Sequence, residues 1–188
     1  MWDTYLRIST EHAFIAAFIQ FLLLGSVGEI LATMLRTGSR SFPFSPLKLI
    51  FKALGWGGLG LYIKVMFLMV TMGVAGLVAA GYLPQAVGTA GSFFSALTIS
   101  VLLNAMFGPS MMLAHRLTDN AIDRLLDGSK PSFAGLDRSL WTLIWLWIPL
   151  HTFTFTQAKE LRIGIAALLS LLLGVVMGAF GRRASATS

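Results

Sequence analysis

The chain has 188 residues, of which 56% are hydrophobic and 12% charged, with a mean hydropathy of +0.77. This excludes an ordinary soluble domain, in which charged residues make up about 25%, and indicates one integral membrane domain over 1–188. The formal charge of +6 is distributed between apolar runs, so no nucleic-acid partner is expected, and the absence of cysteine removes disulfides, thiolate metal sites and cysteine nucleophiles.

The opening MWDTYLRISTEH carries acids at Asp3 and Glu11 and has neither a signal-peptide nor a transit-peptide pattern, so the first span is expected to direct its own insertion. About 20 apolar residues cross a bilayer as a helix, and five stretches approach that length. The first span is read from His12 to Leu35, with Gly25, Gly28 and Ala32 as small residues suited to close helix contact. A short interfacial helix over Leu47 to Leu54 follows, carrying Lys48 and Lys52. Gly55, Gly57, Gly58 and Gly60 then predict a bend before a second span, Leu61 to Tyr82. The third span, Phe93 to Leu117, is expected to kink where Pro109 removes a backbone donor. Leu140 to Thr156 forms the fourth, kinked at Pro149, and Leu161 to Phe180 the fifth, with a Gly174/Gly178 pair.

The expected fold is therefore all-α, a polytopic transmembrane helical bundle of about five spans, with four spans plus a re-entrant segment as the alternative. Basic residues cluster after span one, around the third connection and after span five, whereas the opposite side holds only Arg7, Lys159 and Arg162. By the positive-inside rule this places the N-terminus outside and the C-terminus inside.

Ionisable groups inside spans are costly and usually find a partner in the bundle interior. Glu29 and Lys64 are expected at similar depth and are read as an ion pair that fixes helix register, with a gating role as the alternative. Gln20, Asn104, His151 and Thr154 are read as a polar seam between helices, either a solute pathway or a set of interhelical hydrogen bonds. His115, Asp119 and Asp123 recur every four residues, but Arg116, Arg124 and Asp127 beside them favour a solvated face over a metal site. A haem shared by His115 and His151 is not expected, because the two lie near opposite ends of their spans. Trp141 and Trp145 suit an interfacial position. No hydrolase, zinc-protease or phosphate-loop motif is present. No enzyme activity, cofactor or metal is expected.

Counted from Trp147, the run places His151, Thr154 and Phe155 at the spacing of a Trp-Pro-x-x-Gln-x-x-Asn-Phe signature, with Pro149 one residue late and Arg162 downstream. Gly28-Glu29, Gly55 with Tyr62, and Asn104 with Pro109 follow the order of three further motifs. Trp56, Leu59 and Leu61 replace the proline, histidine and tryptophan of the second. In these features the chain resembles the Mpv/PMP family of peroxisomal and mitochondrial inner-membrane proteins. The resemblance implies a helical protein of an organelle or bacterial inner membrane that acts as a channel-like or permease-like path for small solutes. It carries over no catalytic residue. The competing expectation is a structural or assembly protein without transport; a membrane-embedded enzyme ranks below both. Expected partners are the lipid bilayer, an unidentified small solute and, as an option, further copies in a homo-oligomer.

Overall fold

A computed structural model describes residues 2–186, and every regular element among them is helical. The elements are α1 (Trp2–Glu11), α2 (Ala13–Thr37), α3 (Pro46–Ala79), α4 (Gln85–Gly88), α5 (Phe93–Met106), α6 (Gly108–Asp127), α7 (Leu136–Thr142), α8 (Ile148–Thr156) and α9 (Arg162–Ala186). A five-residue π-helical turn, Leu143–Trp147, joins α7 to α8. Helices α2 and α3 are long and apolar enough to cross a membrane, and the bent pair α5/α6 makes a third candidate. Described residues of α9 form a shorter apolar helix, Arg162–Val176. Large apolar side chains cover the outside, including Ile15, Ile19 and Leu23 on α2 and Met69 and Met72 on α3. Such a surface suits lipid rather than water.

Helix α3 corrects the expected interfacial helix and glycine bend. Ser45 caps it, its Oγ accepting from the Lys48 amide at 3.3 Å, and Pro46 occupies the first turn. From there the helix continues unbroken through all four glycines to Ala79. Packing supplies the reason: a Cβ on Gly57 would strike the Phe18 ring, and one on Gly60 would lie 2.6 Å from the Ala17 carbonyl oxygen. These glycines admit α2 at close range and do not loosen the helix.

The second close contact joins α2 to α9. A Cβ on Gly174 would fall 2.6 Å from the Gly28 carbonyl oxygen, and one on Gly178 would fall 2.7 Å from Ala32. Matched four-residue steps on both helices make this a parallel small-residue seam. By contrast, α3 runs antiparallel to α2, as Glu29/Lys52 and Ala17/Gly60 show; α6 runs antiparallel to α3, as Lys48/Asp123 and Lys52/Asp119 show; and α8 runs antiparallel to α5, as Ser100/Ile148 and, just before α5, Gly91/Thr156 show.

Two prolines sit where helices change direction. Pro109 lies in the first turn of α6, directly after a break at Phe107, and α5 and α6 meet there at 47°. Pro149 lies in the first turn of α8, where the π turn replaces an α turn and the Ile148 amide donates back to the Leu143 carbonyl. A proline ring collides with the carbonyl four residues earlier, here that of Trp145, and the wider turn accommodates it.

Candidate functional site

Between these helices lies one cavity of about 450 Å³, bounded by α2, α3, α5, α6, the π turn and its flanks, and α9. Along α2 its walls run from Phe21 to Arg36, a rise of about 22 Å. Its two ends differ in chemistry.

The mouth is charged. Lys52 Nζ lies 2.5 Å from Glu29 Oε1 on α2 and 2.9 Å from Asp119 Oδ1 on α6, and its side chain is only 6% exposed. Trp56, one turn along α3, donates its indole N–H to Glu29 Oε2 at 2.8 Å and packs against the His115 ring, centroids 4.6 Å apart. Gly25 leaves room for that indole, since a Cβ there would collide with it. One turn before Lys52, Lys48 pairs with Asp123 at 2.7 Å and also with Asp127. Two lysines four residues apart thus face three aspartates at the same interval on the antiparallel helix, and Glu29 joins α2 to the set. Arg116 donates to the Ala134 carbonyl at 3.2 Å, and Asn120 Oδ1 accepts from the Ser132 amide at 3.0 Å; together they hold the loop after α6 beside the mouth.

This network corrects the expected Glu29–Lys64 pair. In an unbroken α3, Lys64 lies twelve residues beyond Lys52, about 18 Å along the axis and rotated by about 120°. Glu29 therefore meets Lys52. Similarly, His115, Asp119 and Asp123 are engaged with Trp56, Lys52 and Lys48, and no group of three metal-ligating side chains stands together among the described residues.

The deep end is neutral, buried and polar. Asn104 Nδ2 donates to the Ser100 carbonyl at 2.8 Å and lies 3.1 Å from His151 Nδ1. The carbonyl fixes which way the amide points, so its second hydrogen goes to Nδ1, and His151 carries its own proton on Nε2. Trp147 stacks on the imidazole at 5.0 Å between centroids, and Phe67 meets it edge-on at 5.7 Å. Ser100 Oγ donates across to the Ile148 carbonyl at 2.7 Å, pinning α5 to the start of α8.

Two members of the expected seam lie elsewhere. Thr154 is fully buried but donates to the Leu150 carbonyl of its own helix at 2.9 Å. Gln20 faces the beginning of α9 near Gly164 and Tyr5, and its Oε1 has no partner among the described residues. Neither borders the cavity, which Asn104 and His151 both do. Beyond His151 the bundle closes with a tightly packed apolar cluster that includes Ala17, Phe21, Phe67, Val70, Ile99 and Phe155. Arg162 caps that side: its guanidinium donates to the carbonyls of Phe155 and Gln157 at 3.1 and 3.0 Å and lies over the Phe155 ring.

Trp56, Lys52, Asp119 and Trp147 were not among the expected site residues. A sequence signal existed for Lys52 and Asp119, in the shared four-residue interval of Lys48/Lys52 and Asp119/Asp123/Asp127. No family model, curated protein or solved structure matches this chain.

Proposed function

We propose that the chain is a multi-pass membrane protein that provides a gated path for small solutes through its centre. The observation that carries this reading is the cavity leading from the Glu29–Lys52–Asp119 mouth to Asn104 and His151. Its extent along α2 is about three-quarters of a typical ~30 Å hydrocarbon core. Its volume falls in the range of small-molecule sites, about 300–1,000 Å³. A vestibule open at the charged end and closed by packed aromatic and aliphatic side chains at the other is the arrangement of a path in its shut state.

On this reading the bundle crosses the bilayer five times with its N-terminus outside, and the charged mouth faces the inner aqueous phase. The proposed membrane is a bacterial inner membrane or, in a eukaryote, the mitochondrial inner or peroxisomal membrane. Resemblance to the Mpv/PMP family supports the same assignment, because Trp147 and His151 of its main motif border the deep end and Phe155 lies in the packed cluster beyond it.

The packed cluster beyond His151 favours one competing reading, a bundle that never opens and serves only in assembly. Proteoliposomes separate the two. Uptake of small uncharged solutes above that of protein-free vesicles, reduced by Thr33→Trp at the vestibule wall, is the expected result. Uptake equal to that of empty vesicles across a graded series of solutes would leave the assembly reading.

A further inference from the structure

We infer that the blind end of the vestibule is a hydrogen-bonding subsite for an uncharged hydroxyl group of the solute, formed by Trp147, His151 and Asn104. The inference rests on the solute-path reading and names the class of molecule that the path admits.

Three unused polar atoms carry it. The Trp147 side chain is 6% exposed and borders the cavity, yet its indole N–H finds no acceptor among the described residues. His151 Nδ1 accepts from Asn104, which leaves Nε2–H as a second donor with no partner among the described residues. Asn104 spends both amide hydrogens on Ser100 and His151, and its Oδ1 accepts no hydrogen bond from the described residues. An orphaned buried donor costs about 1–3 kcal/mol, which makes the Trp147 indole N–H a poor resident of an inert core. Two donors and one acceptor match the two lone pairs and single hydrogen of a hydroxyl.

Charge is excluded by the same surroundings. Among the described residues no carboxylate, lysine or arginine borders the cavity at the depth of His151; its charged lining groups lie at the mouth, around Glu29, Lys52 and Asp119. Phe67, Ala166, Met66 and Leu103 line the wall between. An ion carried to the deep end would lose its hydration without gaining a counter-ion. The solute is therefore an uncharged hydroxylated organic molecule whose apolar part rests on the Leu, Ile and Met side chains of the walls.

The test is equilibrium binding to the full chain in lipid nanodiscs, read by fluorine NMR with three isosteric probes: 4-fluorobenzyl alcohol, 4-fluorobenzoate and 4-fluorobenzylammonium. The alcohol is expected to bind more tightly than either ion by on the order of tenfold or more. Trp147→Phe, which removes only the orphaned donor, is expected to weaken the alcohol about tenfold without lowering the Tm of the protein. His151→Leu, with Tm measured alongside, is expected to weaken it similarly. Equal binding of alcohol and either ion, or unchanged alcohol affinity in a folded Trp147→Phe protein, would overturn the subsite. Because binding is read without flux, alcohol binding with no uptake in vesicles would refute the path and leave the subsite standing. Uptake without discrimination among the probes would do the reverse.

Discussion

Lys52 Nζ lies between Glu29 Oε1 at 2.5 Å and Asp119 Oδ1 at 2.9 Å, so one buried ammonium ties α2, α3 and α6 together at the vestibule mouth. Removing one partner of a buried ionic group leaves the others uncompensated. Lys52→Met is therefore expected to destabilise the protein by about 3 kcal/mol, whereas Lys64→Met, at a position with no carboxylate within salt-bridge distance among the described residues, should change stability by no more than about 0.5 kcal/mol. Unfolding of both variants in the same detergent provides the measurement. An equal loss in the two would restore Lys64 as the partner of Glu29.

The α2/α9 seam leaves no space for a methyl group. A Cβ on Gly174 meets the backbone of Gly28 at 2.6–3.1 Å, and backbone gives way less readily than a side chain. Gly174→Ala is expected to cost about 1–3 kcal/mol through overpacking. Gly73→Ala, on a face of α3 with nothing within 4 Å, is expected to be neutral or to stabilise by up to about 1 kcal/mol, because alanine favours helix. Thermal melts of the two variants would reveal the contrast.

Absence of cysteine makes the vestibule readable one residue at a time. Thr33→Cys and Met111→Cys, both on its wall, are expected to react with a water-soluble maleimide. Val74→Cys and Ile99→Cys, inside the packed cluster, should react more slowly by on the order of tenfold or more. Equal rates at all four positions would mean that the far end is not closed.

How much of this was legible in the sequence follows from the range of the interactions involved. Apolar length and the short connections predicted an all-helical membrane protein, and Pro109 marks the observed break between α5 and α6 because a missing N–H acts locally. The glycines of α3 misled for the opposite reason. Gly57 and Gly60 are set by Phe18, Ala17 and Phe21, which are distant in sequence, and glycine as a bend and glycine as a contact look the same in one chain. Reading a bend there moved Lys64 toward Glu29 and Lys52 away from it, so one error in helix continuity became an error in ion pairing. Asn104 and His151 were identifiable as polar residues inside apolar runs, and they stand 3.1 Å apart. Thr154 shared that signature but satisfies its hydroxyl within α8. Trp147 escaped notice as a polar group because a tryptophan in an apolar run resembles packing; its unpaired indole N–H becomes visible only when its neighbours are placed.

The central claim is that solute passes through the cavity between the Lys52 mouth and His151. Its most direct measurement is uptake of a small uncharged hydroxylated solute by proteoliposomes containing Met111→Cys, before and after modification with a bulky methanethiosulfonate. The account predicts that modification abolishes uptake in this variant and leaves the cysteine-free parent unchanged. Uptake that persists after complete modification of Met111→Cys would contradict it.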